Sequence, residues 1–213
     1  MRVMSIESAI YKDWILNKHY AKRMCSISYA FGLYIDGILS GVCTFGYPPN
    51  YSYNNGACVF NDYRCLTLEL NRLITNDGLP KNSLSMFVSA CLKMLPRPSC
   101  VVSYSDPNNG HHGYIYQATN WIYTGQSTPK FKYVFEDGNT FDIRRGLDTK
   151  GKIVEKIPIE PTHRYLYFNG SKTEKRIMKD DLKMDIHEYP KGQNVNYNAG
   201  YKPDIQRVLM FSD

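Results

Sequence analysis

Apolar positions in the first part of the chain change period several times, and the changes mark out helices and strands in alternation. Over residues 4–20, Ile6, Ile10, Trp14 and Ile15 recur at helical spacing, which predicts an amphipathic helix. Ser5 stands where an N-cap would, and Glu7 falls in the first turn, where the helix dipole favours a carboxylate. Ser8, rather than Glu or Gln, follows Ser5 by three residues, so the capping box is incomplete. The runs 27–35 and 38–45 flank Asp36-Gly37, the strongest two-residue hairpin signal, and predict two antiparallel strands. A loop rich in Pro, Tyr and Asn follows over 46–56, then a strand over 63–74 and a turn-rich loop over 76–82. Over 83–95, Leu84, Phe87, Val88, Cys91, Leu92 and Leu95 share one side of a helix. A short buried strand over 99–104, a helix over 111–120 and another strand over 121–124 complete the series. From about residue 131 charge rises, Arg144-Arg145 and Lys175-Arg176 pairs enter, and a β-type run covers 164–168. From residue 192 the chain reads as loop, and no internal repeat is present. The pattern describes an α/β body over 1–130 and a basic, β-rich extension over 131–213, packed on the same domain.

Composition narrows the partners more than the fold. A length of 213 residues suits one α/β domain with an appendage, and an apolar fraction of 43% supports a real core. The net charge of +6 favours polyanions. Eighteen tyrosines among 14% aromatics offer flat faces with polar tips, suited to stacking on bases as well as to packing. The six cysteines form no CxxC pair, and several lie in apolar runs such as that around Cys100, so reduced thiols of a cytoplasmic protein are expected. The amphipathic, soon-charged stretch over 1–20 leads us to expect no signal peptide, and no apolar run reaches membrane-spanning length.

Two places could carry chemistry. The loop over 76–82 leads into a helix start at Asn82, Ser83 and Ser85, where free backbone N–H groups suit a phosphate or pyrophosphate. Lys81 and Arg72 would supply balancing charge there. The loop has no Gly-rich phosphate motif, so an ordinary capped helix explains the same residues, and Arg72 has an ion pair to Glu69 as its own structural alternative. The second place is SYSDPNNGHHGYIYQATNWIY over 103–123. It presents Asp106 at a strand's carboxyl end, where open α/β sheets put ligand chemistry, although Asp106 could equally cap the next helix. Tyr116 shares a helical face with His112 and Gly113 rather than with an apolar stripe, which sets chemistry against a core role. His111 and His112 are secondary candidates. A lone His19 after an amphipathic helix reads most simply as a surface or capping residue.

The order of strand, loop, helix, strand, helix and strand resembles the acetyl-CoA-dependent N-acyltransferase (GNAT-like) fold. Ile115-Tyr116 followed after four residues by Trp121 has the spacing of that superfamily's tyrosine helix, with Asn120 where glycine is common. Longer strings are more specific. HYAKRM over 19–24, ELNRL over 69–73, KNSLS over 81–85, VSYSD over 102–106 and HGYIYQATNWIY over 112–123 are similar to segments of the Mom family of phage DNA-modification proteins. Order and spacing agree from about residue 14 to 125, with a weaker likeness through HRY over 163–165 and YPK over 189–191.

The resemblance implies a mixed central sheet flanked by helices, and an enzyme that turns adenine in DNA into N6-carbamoylmethyl-adenine, protecting phage DNA from restriction. It implies acetyl-CoA or a related acyl-CoA as cofactor, with Arg72, Asn82, Ser83 and Ser85 on the cofactor side. It places His19, Asp106 and Tyr116 at the reaction centre, Tyr116 as the acid that protonates the leaving thiolate. It also implies iron, with His19 and Asp106 as ligands. The expected partner is double-stranded DNA in the host cytoplasm, with the basic residues over 144–191 on its phosphates and the tyrosines over 47–53 at an extruded base; a homodimer stays open. Two alternatives stand beside this reading: a conventional N-acetyltransferase acting on a protein or small amine, and a non-catalytic nucleic-acid-binding protein on the same scaffold.

Overall fold

The hairpin signalled by Asp36-Gly37 forms as expected, with Asp36 and Gly37 both at positive φ (50° and 78°) between β2 (Tyr29–Ile35) and β3 (Ile38–Gly46). The computed structural model describes residues 1–49, 53, 56–128, 130–138, 140–142 and 152–191. The chain start departs from expectation. Arg2–Ser5 is a strand (β1) paired with β2 through Arg2↔Tyr34 to Ser5↔Phe31, and the helix begins only at Ser8 (α1, Ser8–Asp13) with Glu7 at its N-cap. Pairing with an open sheet edge outweighs local helical periodicity there. A π-helical turn, Trp14–Lys18, follows α1, and its last bond runs from the His19 N–H to the Trp14 carbonyl, five residues back.

β4 (Leu66–Thr75) pairs with β3, and its other neighbour, β5 (Ser99–Ser105), runs parallel to it after α2 (Ser83–Met94). A short 3-10 turn at Pro107–Asn109 leads to α3 (Tyr114–Ala118) and β6 (Ile122–Gln126). The helix over 111–120 is thus shorter than its periodicity predicts, because Gly113 takes φ 78° and starts it late. β7 (Lys130–Phe135), β8 (Thr140–Asp142) and β9 (Ile153–Ile159) form a separate three-stranded antiparallel sheet. β10 (His163–Asn169) then returns to the main sheet, which has the order β1-β2-β3-β4-β5-β10-β6, and α4 (Lys172–Asp180) is the last helix among the described residues. This mixed sheet with flanking helices is the expected α/β architecture.

Alternation along the strands sends side chains to three cores, one of them Leu39, Val42 and Ile74 under Trp14 and Ile15. Leu68, Leu70, Val101 and Tyr165 face α2, whose Phe87, Val88, Cys91 and Leu92 are buried; each such aliphatic or aromatic chain contributes roughly 1.5–3 kcal/mol on burial. Cys100, Val102, Leu166 and Phe168 face the other way, onto Val59, Phe60 and Met178 of α4. All six cysteines are free.

Candidate active site

β4 and β5 pair only from Leu66↔Ser99 to Glu69↔Val102. Beyond that point β4 keeps β3 as its partner and β5 keeps β10, so the two parallel strands part and a gap opens. At the closed end of the gap the Leu70 carbonyl lies 2.8 Å from Ser103 Oγ, which is itself 2.7 Å from the Tyr116 hydroxyl. A carbonyl can only accept, so the single Ser103 proton goes to Leu70, and the Tyr116 O–H donates to Ser103 Oγ. One side chain thus replaces the strand–strand bond lost where the sheet splits.

A cavity of about 640 Å³ occupies the gap. Leu70, Asn71, Leu73 and Thr75 line one wall, Tyr104, Ser105 and Asp106 the other, and residues 110–116 the floor, with His19 and Tyr20 closing the rim. The three residues expected at the reaction centre, His19, Asp106 and Tyr116, therefore share one space although 97 positions (116 − 19) separate the outer two. Tyr116 packs between Trp121 and Tyr165, with ring centroids 4.9 and 5.0 Å away, and burial holds its hydroxyl far above the usual tyrosine range. It is both core and cavity wall.

His19 is 8% exposed, and its titration is pushed down to about 4, chiefly by burial and then by the Arg72 and His111 charges. Its Nδ1 accepts the Ala21 N–H at 3.0 Å, which leaves the proton of the neutral ring on Nε2. At neutral pH His19 is a hydrogen-bond donor, not a base. Tyr20 is 59% exposed, stacks on the His19 ring at 4.3 Å and stands 6.0 Å from the His111 ring, giving the rim an aromatic edge.

Asp106 follows β5 directly, as expected, and caps the 3-10 turn: Oδ1 accepts from Asn108 N–H at 3.1 Å and Asn108 Nδ2 at 2.8 Å, and Oδ2 accepts from Asn109 Nδ2 at 3.1 Å. Its backbone carbonyl accepts the His111 N–H at 3.1 Å. The capping reading and the cavity reading both hold.

The residues expected on the cofactor side are placed differently from one another. Arg72 lies behind the wall, donating through Nη1 to the Asn71 carbonyl at 2.6 Å and through Nη2 to the Arg23 carbonyl at 2.9 Å. Asn82 is the N-cap of α2 in the left-handed region, at φ 66°, Ser83 is buried, and the Ser85 hydroxyl donates to the Asn82 carbonyl at 3.0 Å. Leu84, between them, lines the cavity, so the start of α2 and its outward N–H groups border the gap.

Three residues escaped the sequence. Asn71 donates to the Ser26 carbonyl at 2.7 Å and accepts from Thr44 Oγ1 at 2.6 Å, tying the strap over residues 19–28 to the sheet. Ser105 lines the gap, and buried Ser103 bridges Leu70 and Tyr116 at its closed end, only because β4 and β5 part there, a long-range event without a local signature. Of the tyrosines over 47–53, Tyr47 is exposed, Tyr53 is half-buried against the second core beside Tyr104, and Tyr51 falls outside the described residues, as do Arg144, Arg145 and Lys150.

The donors present do not fit an iron site. Both Asp106 oxygens are engaged by Asn108 and Asn109, and His19 would have to surrender the Nε2 proton fixed by its bond from Ala21. Among the described residues no group of three or more His, Cys, Asp or Glu is arranged to hold a metal. Nor, among them, is any helix long and apolar enough to cross a membrane.

The profile of the Mom protein family matches residues 1–191. The relative named methylcarbamoylase mom, from Escherichia phage Mu, is 28% identical over 210 residues, covering 90% of this chain and 84% of that protein. Among solved structures, an N-acetyltransferase from Staphylococcus aureus aligns with TM-score 0.43 and 14% identity, over 78% of this chain and 97% of that one. A putative acetyltransferase from Salmonella typhimurium, solved with its cofactor acetyl-CoA, aligns with TM-score 0.46 and 10% identity, over 80% and 95%.

Proposed function

Because this chain belongs to the Mom protein family, we propose that it is a phage DNA-modification enzyme, a transferase that converts adenine in DNA to N6-carbamoylmethyl-adenine. The observation that carries the reading is the convergence of His19, Asp106 and Tyr116 on the cavity between the parted strands. Tyr20, exposed and tilted 31° from the His19 ring and 42° from the His111 ring, offers an aromatic face to an adenine taken out of the duplex stack, since a base must leave the helix for its N6 to be reached.

The gap and the start of α2 fit acetyl-CoA or a related acyl-CoA: parted strands offer backbone groups to an extended chain, and a helix start offers N–H groups to a pyrophosphate. When bound, that group supplies an activated two-carbon unit. Tyr116, kept protonated by burial, holds a proton for a departing thiolate. Neutral His19 donates from Nε2 without adding charge to the site. Asp106 positions the turn that carries His111 and His112. Arg72 and Asn71 hold the strap and so the His19 ring. A carbamoylmethyl product joins N6 to a methyl carbon and also carries an amide nitrogen, so it asks for more than simple acetyl transfer.

The test is nucleoside mass spectrometry of DNA from cells expressing the protein. Carbamoylmethylated deoxyadenosine is expected with the wild type and absent with Asp106→Ala. Unmodified adenine throughout would overturn the reading, and an N-acetyl product would give the conventional acetyltransferase instead.

A further inference from the structure

A second concave surface lies away from the reaction cavity. It is a groove of about 470 Å³ bounded by α2, the end of α3, β10 and α4, and Lys93, Lys175 and Lys179 line it with no carboxylate among the lining residues. Sequence spacing and structure agree on its charge. Lys172, Lys175, Arg176 and Lys179 fall at i, i+3, i+4 and i+7 on α4, so they form one cationic stripe along the helix. All four side chains are exposed, whereas Met178 beside them is buried and fixes which way the helix faces.

Two acidic residues of the same region are held by backbone groups, while Asp180, exposed at the end of α4 four residues from Arg176, stands outside the groove lining. Glu174 accepts the Ser171 N–H in the capping box, and Asp181 accepts from the N–H groups of Asp62 and Tyr63 at 2.9 and 2.7 Å. The floor of the groove adds a flat ring, Tyr167, with Lys175 Nζ 5.3 Å from its centroid. Pairing of β10 with β6 ends at Leu166↔Ile122, so the β6 side of Tyr167–Asn169 stays open.

We propose that this groove is a second contact surface for the phosphodiester backbone of DNA, separate from the cavity that receives the base. The choice of polyanion rests on the DNA-modification reading. Leu166–Phe168 pair with Val102–Cys100, while the cavity is built on Tyr104–Asp106. About four residues of strand, ~13 Å at ~3.3 Å per residue, separate the two surfaces. That is close to four base-pair steps of duplex, given one charge per ~1.7 Å of helix axis. The lysines carry no base-reading geometry; they supply sequence-independent affinity and hold the duplex while a base is extruded.

The test is the salt dependence of duplex binding by the full chain, read by fluorescence anisotropy with a labelled duplex. Each phosphate contact contributes about 0.9 to the slope of log K against log salt. The K175E/K179E double variant should lower the slope by about two and weaken binding about tenfold or more at ~0.1 M salt, while K175R/K179R keeps both. Unchanged slope and affinity in K175E/K179E, or no duplex binding by the wild type, would overturn the proposal. Nucleoside analysis separates this from the function. Modified adenine with charge-independent binding sinks the groove alone, whereas groove-dependent binding with unmodified adenine sinks the enzymatic reading alone.

Discussion

Tyr116 shows how one side chain serves packing and chemistry at once. Its ring fills the space between Trp121 and Tyr165, and its hydroxyl completes the link to Ser103 and Leu70. Tyr116→Phe keeps the ring and removes the proton. A fold loss of about 1 kcal/mol is expected from the missing hydrogen bond, alongside a fall of ~100-fold or more in modified adenine if the phenol is the acid. Thermal melting and nucleoside mass spectrometry read the two effects separately; a purely packing role predicts the first without the second. His19 gives a pH signature. Because its titration lies at about 4, the neutral donor persists well below the ordinary imidazole value of ~6.5. An acid limb of activity assigned to His19 should therefore fall near pH 4, and a limb at pH 6.5 that survives His19→Gln would exclude that assignment.

At the scale of elements, the strap over residues 19–28 positions His19, and close backbone approach seats it. A Cβ on Gly46 would stand 1.9 Å from the Ser26 carbonyl oxygen, backbone that cannot swing aside. Gly46→Ala should lift the strap, cost ~2 kcal/mol or more as an overpacked site, and abolish product. Limited trypsin digestion would show faster cleavage after Lys22 and Arg23. Gly113 is a second such place, at φ 78° with two Tyr165 ring carbons 2.4 and 2.5 Å and its hydroxyl oxygen 2.7 Å from a Cβ. These contacts also mark where sequence reading stops. The Asp36-Gly37 hairpin, α2 and β5 are written in local period and turn chemistry, and they appear within one or two residues of expectation. Asp106 and Tyr116 were legible because motif spacing survives in the string. The return of β10 between β5 and β6 depends on partners some 60 residues apart (Tyr165↔Ser103), which no local period encodes. Asn71, Ser103 and the true start of α1 were hidden for the same reason.

For the molecule as a whole, buried neutral histidines set an acid limit on stability. His19 and His163 both titrate below their ordinary value, burial being the first cause in each. The unfolded chain therefore binds more protons than the folded one as pH falls below ~6.5, and stability declines with acidification. For His19 the decline spans from about 6.5 down to about 4. Melting temperature should fall through that window, and His19→Gln should flatten part of the fall. An unchanged slope in the variant would assign the acid sensitivity elsewhere.

The π-helical turn at Trp14–Lys18 has a consequence for where the imidazole points. One extra residue in a turn advances everything after it by about 100° around the helix axis. Trp14 and Ile15 are both buried, so the turn's beginning is anchored while its end is wound forward onto the cavity rim. Deleting Leu16, an exposed residue inside the turn, would restore ordinary α-helical winding and sweep His19 off the rim. Such a shortened chain should leave adenine unmodified and melt somewhat lower, because the strap bonds to Asn71 and Arg72 are displaced with His19; unchanged modified adenine would show that the surplus residue does not set the imidazole's direction.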